Sequence, residues 1–333
     1  MTAQFFTKTE FPIIRPRRLR RHPWLRNMVQ ENSVTAHDLI WTVIIREDDV
    51  EPEIPGMPGA PRLTIKELVE SAKEAVDLGI PAVAFFPHCA QELKDVEASE
   101  ALNPRSLTIR AIEALKAECP NIGVISDVAL DPFTIHGFDG LMRGDQVDND
   151  LTLELLAKSV LLQAQAGADV IAPSEMMDGR IKVLRSTLDE AGFYDVGLLS
   201  YSAKYASAFY GPYRGGVGSL KNLGKGDKKT FYLNPANKHE AVREVSQDLL
   251  EGADMVMIKP GLPYLDVIAA VKETFQVPTF AFHVSGEYGC LKLMQQAGFM
   301  DFQRAFHEVL VSFKRAGCDG ILTYGALEYA RSL

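Results

Sequence analysis

The amino-acid sequence predicts an α/β fold of the (β/α)8 class, the TIM barrel. Eight short runs of β-branched and apolar residues recur between residues 39 and 323. Stretches with helical periodicity separate most of these runs, and a glycine often stands between a helix and the next run. Near-continuous apolar runs are typical of parallel strands that are buried on both faces. Eight strand–helix units in one chain therefore favour a closed barrel.

The segment before the first predicted strand, residues 1–33, differs from the rest of the chain. It combines clustered arginines with more large apolar residues than a free tail would carry. We predict an extended N-terminal arm that packs on another subunit, and a basic arm that grips nucleic acid is the alternative. The net charge of −9 argues against nucleic-acid binding by the whole surface. The residues are Arg15, Arg17, Arg18, Arg20, Arg21 and Arg26, with Phe5, Phe6, Phe11, Ile13, Ile14, Trp24 and Leu25.

Residues 34–333 form one catalytic barrel in this interpretation. The predicted strands are 39–45, 82–86, 123–130, 169–172, 196–200, 254–258, 278–284 and 320–323. The predicted helices are 65–78, 106–118, 151–166, 240–251, 264–275 and 302–315, and the glycines expected as C-caps are Gly79, Gly167, Gly252 and Gly317. An open doubly wound sheet is the alternative. It would normally carry a glycine fingerprint after its first strand, whereas Ile45 is followed by charged residues.

Composition excludes several other classes of protein. No uninterrupted apolar run approaches the roughly 20 residues that span a bilayer, so we expect no membrane partner. The N-terminus lacks the apolar segment of a secretory signal. The cysteines are scattered, without a C-x-x-C pair, which predicts neither a disulfide framework nor a zinc knuckle. These observations favour a cytoplasmic protein. The cysteines are Cys89, Cys119, Cys290 and Cys318.

One long interruption, residues 211–229, is rich in Gly, Lys and Arg. A phosphate-binding loop would explain this composition, but neither the Rossmann fingerprint nor the P-loop pattern fits the order of residues. A disordered surface loop is a further alternative. We predict an active-site lid whose cations hold a substrate carboxylate. These cations are Arg214, Lys221, Lys225 and Lys228.

In a (β/α)8 barrel the chemistry lies at the C-terminal ends of the strands. Lys204 and Lys259 follow two neighbouring predicted strands, which lie about 4.8 Å apart in a sheet, so both amines can point into one pocket. Burial and mutual repulsion each lower the pKa of a lysine, and a neutral amine attacks carbonyl carbons to form a Schiff base. Such a pair predicts two carbonyl substrates. Alternatively, one amine binds a single substrate and the second amine tunes the pKa of the first amine. A snorkelling or ion-paired lysine is the alternative for either one.

Other polar residues lie at the remaining predicted strand ends. Asp127, Asp131 and Asp139 are candidates for proton transfer or for a divalent cation, although each could instead cap a turn. His136 is more typical of a loop histidine than of a ligand. The rest of the set is Ser174, Glu175, Tyr201, Ser202, Ser285, Glu287 and Tyr324.

Several blocks of sequence resemble the porphobilinogen synthase family, also called δ-aminolevulinic acid dehydratase. They span nearly the whole chain, and two of them carry the lysines. The resemblance implies a barrel with an N-terminal arm, assembled as a homo-octamer. It also implies that two molecules of 5-aminolevulinate condense to porphobilinogen, with loss of water, in tetrapyrrole (heme and chlorophyll) biosynthesis. The blocks are residues 15–18, 126–132, 201–212, 234–237, 255–261 and 284–288.

The resemblance also implies roles for individual residues. Lys259 would form the Schiff base with the substrate that becomes the propionate side, and Lys204 would hold the second substrate. Asp127 is the best candidate for proton transfer, with Asp131 and Asp139 beside it. The residues expected to bind substrate are Ser285 and Tyr324 for the first carboxylate, Arg214 and Lys228 for the second, and Ser174.

Metal dependence is where this sequence departs from part of the family. Zinc-using members carry three cysteines at the positions of Ala129, Asp131 and Asp139, so the resemblance places this chain in the aspartate-bearing branch. A catalytic Zn²⁺ is not expected, no organic cofactor is implied, and a monovalent cation such as K⁺ is compatible. Glu244 matches a glutamate linked to an allosteric Mg²⁺, and an ordinary helix carboxylate is the alternative. A Schiff-base aldolase and a non-catalytic binding protein remain the alternative functions.

Overall fold

The computed structural model describes residues 11–219 and 227–333. The chain divides into two units, with the boundary after Ser33. The described part of the first unit contains a 3₁₀ turn, Pro16–Arg20, and helix α1, Pro23–Met28. Its apolar side chains are exposed, as Phe11 and Trp24 show, at 75% and 63% of their full exposure. Phe5 and Phe6 of the predicted arm lie outside the described residues.

The second unit is a closed barrel of eight parallel strands surrounded by helices, which confirms the predicted fold class. Strand β1 pairs with β3 on one side and with β11 on the other, and this second pairing closes the barrel. The barrel strands, in their order around the barrel, are β1 (Leu39–Ile45), β3 (Ala82–Pro87), β4 (Gly123–Ser126), β7 (Val170–Ile171), β8 (Gly197–Lys204), β9 (Met255–Lys259), β10 (Thr279–His283) and β11 (Gly320–Thr323). The additional short strands are β2 (Arg62–Leu63), which pairs with β1, and the antiparallel pair β5 (Met142–Arg143) and β6 (Gln146–Val147).

Helices follow the strands and cover the outside of the barrel. Thr64 and Glu67 form a capping box that starts α2, because each side chain accepts from the other residue's backbone N–H. Gly167 and Gly252 end two helices in the left-handed conformation, with φ of 106° and 107°, as the sequence predicts. The helices are α2 (Ile65–Asp77), α3 (Leu107–Glu118), α4 (Asn149–Ala166), α5 (Arg180–Glu190), α6 (Gly211–Gly216), α7 (His239–Glu251), α8 (Leu265–Phe275), α9 (Ser285–Gln296), α10 (Phe302–Ala316) and α11 (Ala326–Ala330).

Some predicted element boundaries are wrong. The strand predicted over 123–130 ends at Ser126, and the chain then turns so that the Asp127 carboxylate accepts from the Ala129 N–H. The strand predicted over 196–200 continues to Lys204. Helices α5, α6, α9 and α11 were not predicted, and α6 occupies the start of the segment interpreted as a lid.

In the described ranges, no helix is long and apolar enough to cross a bilayer.

Candidate active site

A small cavity lies at the C-terminal ends of β8 and β9. Its volume is about 20 Å³, which is room for little more than a water molecule. Lys204 and Lys259 are direct partners in the β8–β9 pairing and both reach this cavity. The two Nζ atoms lie 5.9 and 4.9 Å from the centre of one ring, that of Tyr201. The residues that line the cavity are Asp131, Lys204, Tyr210, Tyr213, Arg214, Lys228, Tyr232 and Lys259.

The Lys259 amine is surrounded by aromatic rings. In the described part of the chain it forms no ion pair, and the residue is 5% exposed. Burial and, to a smaller extent, the nearby charge of Lys204 lower the pKa of Lys259 to about 7, against the opposing effect of the Asp127 carboxylate. A substantial fraction of this amine is therefore neutral near pH 7. Its Nζ lies 4.5 to 5.7 Å from the ring centres of Phe282, Tyr201, Tyr213, Tyr210 and Phe86.

The Lys204 amine, by contrast, is held by oxygen atoms. It donates to Asp139 Oδ1 at 3.2 Å, to Ser174 Oγ at 3.2 Å, and to the Ser174 carbonyl oxygen. It also lies 4.4 Å from the centre of the Tyr232 ring. These contacts fix the position of the amine at the end of β8.

Asp139 is the fully buried centre of a charged cluster. Its Oδ1 accepts from Tyr232 Oη at 2.6 Å, and its Oδ2 forms an ion pair with Lys228 Nζ. Burial alone would raise the pKa of Asp139, but the charges of Lys204 and Lys228 and the hydrogen bonds lower it to about 2. Asp131 lies at the edge of this cluster, with its Oδ2 3.7 Å from Lys228 Nζ. Asp139 therefore serves as a counter-ion for two lysines in this structure, and its role in proton transfer stays a prediction.

Asp127 has a different environment from Asp139. Ser174 Oγ donates to its Oδ2 at 2.6 Å, and the Ala129 N–H donates to its Oδ1. Burial raises the pKa of Asp127, against the lowering effect of Lys204. Ser174 thus lies between Lys204 and Asp127 and connects an amine with a carboxyl group that can take up a proton.

The remaining predicted substrate-binding residues lie around this cluster. Arg214, on α6, and Lys228 line the cavity. The Ser285 hydroxyl is engaged by the backbone, since its Oγ accepts from the Tyr213 N–H at 3.0 Å. Tyr324 packs against Phe282 and lines a separate cavity of about 480 Å³. Lys221 and Lys225 of the predicted lid lie outside the described residues.

Glu244 lies away from the lysines, in a cavity of about 510 Å³ next to α7. Burial and the neighbouring Asp248 carboxylate raise the pKa of Glu244, although Arg180 opposes the shift. His136 is a loop residue whose Nδ1 accepts from the Phe138 N–H, which matches the interpretation as a loop histidine. Glu287 accepts from the N–H groups of Leu262 and Val284 and so serves the backbone at the start of α9.

The described residues do not offer a strong metal site. No group of three or more His, Cys, Asp or Glu side chains among them is arranged to hold a metal ion. At the positions where cysteines would bind zinc, Ala129 has no ligand atom, and Asp139 is already paired with two lysines. A catalytic metal does not fit this cluster, and no step of the reaction is assigned to one.

The sequence analysis did not identify the aromatic wall of the cavity. Tyr210, Tyr213 and Tyr232 line it, and they belong to short helical turns or irregular segments without hydrophobic periodicity. The repeated tyrosines between residues 201 and 213 were the available signal. Aromatic rings suit this site because they exclude water while tolerating a cation.

Comparison with known proteins gives concordant results. The family model described as "Delta-aminolevulinic acid dehydratase" matches residues 13–332. A curated relative of that name from Bradyrhizobium diazoefficiens is 51% identical over 96% of this chain and 91% of its own length. A relative from Rhodobacter capsulatus is 45% identical over 95% of both chains. The crystal structure of the Toxoplasma gondii enzyme in complex with its product, porphobilinogen, is similar, with a TM-score of 0.92, 44% identity, and coverage of 96% of this chain and 91% of that chain.

Proposed function

Because this chain belongs to the delta-aminolevulinic acid dehydratase family, we propose that it condenses two molecules of 5-aminolevulinate to porphobilinogen, as a lyase of tetrapyrrole biosynthesis. The observation that carries the proposal is the pair of buried amines, Lys204 and Lys259, on paired strands at one rim of the barrel. The similar solved structure holds porphobilinogen, which supports the assignment of the product.

Lys259 is the amine that attacks first. Its low pKa supplies a neutral nucleophile near pH 7, which adds to the ketone carbon of one substrate. The ketone oxygen leaves as water, and a C=N bond to Nζ remains. This imine acidifies the adjacent C–H, so that a carbon–carbon bond to the second substrate can form. The ring of Phe282 and its aromatic neighbours exclude bulk water while the imine exists.

Lys204 must lose a proton before it can attack the second substrate. Ser174 Oγ lies 3.2 Å from Lys204 Nζ and 2.6 Å from Asp127 Oδ2, so the hydroxyl can pass the proton to that carboxylate. Burial raises the pKa of Asp127, which favours uptake of the proton and its later return to a leaving hydroxyl. Asp139 balances the charge that Lys228 retains. We assign Asp131 a supporting role beside this pair.

Substrate carboxylates are assigned to two cations that line the cavity and to two hydroxyl groups outside its lining. Arg214 and Lys228 bind the second substrate, and Ser285 and Tyr324 bind the first. The cavity, at about 20 Å³, is too small for either substrate, so side chains that line it have to move before binding. Lys228 then exchanges part of its contact with Asp139 for the incoming carboxylate.

Oligomeric state and location extend the proposal. We infer a homo-octamer in which the N-terminal arm packs on another subunit, and the exposed Phe11 and Trp24 side chains support this. An octamer has a mass of about 294 kDa, eight times 36.8 kDa, which mass photometry distinguishes from a dimer. We place the protein in the cytoplasm, and its four free cysteines support a reducing compartment.

Mg²⁺ is proposed as an allosteric ion at Glu244 and not as a catalyst. A single carboxylate suffices for Mg²⁺ when waters complete its octahedral shell. The acidic neighbourhood of Glu244 supplies the attraction. Activity measured in chelator, and then with Mg²⁺, Zn²⁺ or K⁺ restored, tests this, and stimulation by Zn²⁺ alone would contradict it.

Borohydride trapping with 5-aminolevulinate, followed by peptide mass spectrometry, tests the function. We expect reduced adducts at Lys259 and Lys204, and loss of product in both Lys204→Ala and Lys259→Ala. Lys314→Ala is the control, since Lys314 is a half-buried lysine that pairs with Asp38, just before the start of β1 and away from the site. An aldolase would tolerate one of the two active-site substitutions. Absence of any adduct would leave a binding protein as the better interpretation.

A further inference from the structure

Arg62 on β2 is a buried cation without an acidic partner in the described part of the chain. It is 7% exposed, and burial together with the charge of Arg46 lowers its pKa. Four hydrogen bonds to backbone carbonyl oxygens take the place of an ion pair. A guanidinium has a fixed fork of five N–H donors, so four such bonds determine its position closely.

The four acceptors belong to two separate segments. Nη1 donates to the carbonyls of Glu51 and Glu53, both at 2.8 Å, in the loop after β1. Nε donates to Gly216 O at 2.7 Å and Nη2 to Gly215 O at 2.9 Å. Arg62 therefore ties the end of α6 to the loop after β1, across more than 150 residues of sequence.

Gly215 and Gly216 are the last residues of α6, and the last carbonyls of a helix have no intrahelical donors. A cation at this end satisfies them and also interacts favourably with the helix dipole. A second buried cation acts nearby, because Lys94 Nζ donates to Gly218 O at 3.0 Å. The C-terminal end of α6 is thus held by two basic side chains from the opposite side of the barrel mouth.

Helix α6 carries two residues of the lysine cavity. The ring centre of Tyr213 lies 5.3 Å from Lys259 Nζ, and Arg214 lines the cavity. Arg62 itself is not part of the lining. Any effect of Arg62 on the reaction must therefore pass through the segments that it holds, and of these α6 is the one that carries residues of the cavity.

We propose that Arg62 is a positioning residue for the condensation, which holds the C-terminal end of α6 so that Tyr213 and Arg214 stay in the lysine cavity. Lys94 contributes to the same role, because its Nζ donates to the Gly218 carbonyl oxygen just after the end of α6. This inference rests on the proposed function, because it takes Arg214 as a ligand of a substrate carboxylate.

The test compares Arg62→Gln with Arg46→Gln. Arg46 is a matched control, since it is 8% exposed and donates to the carbonyls of Glu47, Asp48 and Arg62, but it has no described contact with α6. We expect Arg62→Gln to raise the KM for 5-aminolevulinate at least tenfold, roughly the effect of one lost charge-assisted hydrogen bond, with kcat changed less than about threefold. The acid limb of its kcat/KM profile should also move to higher pH, because water reaches Lys259 once Tyr213 is displaced. Arg62→Lys should restore part of the loss.

The outcomes separate this inference from the function on which it rests. If the wild type forms no porphobilinogen, the proposed function is wrong. The positioning role is wrong if the wild type and Arg46→Gln form porphobilinogen while Arg62→Gln keeps the wild-type KM and the wild-type acid limb of kcat/KM. A change in melting temperature alone does not alter that conclusion. Should Arg62→Gln be insoluble, Arg62→Lys and Lys94→Met decide, and unchanged KM values in both would overturn the inference.

Discussion

At the residue scale, neighbouring positions in one sheet give two lysines opposite surroundings. Lys259 points among aromatic rings and lacks an acceptor in the described residues, while Lys204 is fixed by Asp139 and Ser174. An apolar environment disfavours the charged form of an amine, whereas acceptors and carboxylates favour it. The proposed order of attack, with Lys259 first, rests on this difference in the surroundings of the two amines.

The pH dependence of the reaction should report the ionisation of Lys259. Its amine is protonated and unreactive below its pKa of about 7, so kcat/KM should fall about tenfold for each pH unit below that value. The measurement is kcat/KM between pH 5 and 9, with circular dichroism at each pH to show that the protein stays folded. Phe86→Ala removes one aromatic ring beside the amine, so the acid limb of the kcat/KM profile should move to higher pH. A profile that is flat from pH 5 to 7 would contradict this assignment.

Asp139→Asn should destabilise the barrel mouth, because it leaves Lys204 and Lys228 buried without their shared counter-ion. Breaking a buried ion pair from one side costs about 3–5 kcal/mol, which urea denaturation can measure. The same change at Asp266, an exposed partner of Lys238, is the control and should leave the urea midpoint unchanged. Equal midpoints for the two variants would show that Asp139 does not neutralise the lysines.

The sequence identified the charged residues of the site more completely than its apolar wall. Lys204 and Lys259 could be placed together because parallel strands of a barrel end at the same rim. The positions of Tyr232 and Arg62 could not be predicted in this way, since they depend on how short segments outside the barrel strands fold over that rim. No local sequence pattern encodes this folding over the rim. The contacts of Tyr232 with the cavity and of Arg62 with α6 are therefore found only in the three-dimensional structure.

At the element scale, two of the helices outside the predicted set, α6 and α9, have a local composition that disfavours helix. Helix α9 begins Ser-Gly-Glu-Tyr-Gly, and each glycine costs about 1 kcal/mol of helix propensity relative to alanine. Its Glu287 offsets this by accepting from the Val284 N–H at the start of the helix. Helix α6 has three glycines in six residues and depends on tertiary contacts with Arg62 and Ser285.

Helix α6 also packs closely on the barrel, which leaves no free space for a side chain at one of its glycines. A Cβ at Gly216 would overlap Ile44 Cδ1, whereas a Cβ at Gly215 would meet open space. We expect Gly216→Ala to displace α6 and raise the KM at least several-fold, since Arg214 moves with the helix. Gly215→Ala is the control and should keep wild-type kinetics, or gain slightly in stability. Indistinguishable kinetics for the two variants would mean that Ile44 makes room at no cost to the site.

At the scale of the whole molecule, the eight strand runs were enough to predict closure of the barrel. The pairing of Leu39 with Ile321 and of Trp41 with Thr323 completes the hydrogen-bonded ring. Closure brings the first and last strands together, so residues at both ends of the barrel sequence contribute to one core. The octamer stays a prediction, because the contacts that would form it join different chains.

Closure also places a buried histidine next to the last strand pairing. His283 Nδ1 lies 3.1 Å from Thr323 Oγ1, and its ring packs against Phe306 and Phe313. Burial lowers the pKa of His283 from 6.5 to about 3. In the unfolded chain the imidazole takes up a proton as the pH falls below about 6.5, while in the folded barrel it stays neutral. Acid therefore favours unfolding through this residue, with a window from pH 6.5 down to 3.

We expect His283 to cost the barrel about 2 kcal/mol of unfolding free energy between pH 6.5 and pH 5, at about 1.4 kcal/mol per pH unit. Glu287, whose pKa burial raises from 4.5 to about 8, acts in the opposite direction over the whole of this range, so the effect of His283 must be isolated by substitution. His283→Phe fits the aromatic cluster and removes the titration, and its stability should fall less between pH 7 and pH 5 than that of the wild type. His239→Gln, on the surface, is the control. If the wild type and His283→Phe lose the same free energy over this interval in urea denaturation, protonation of the buried imidazole does not contribute to acid unfolding.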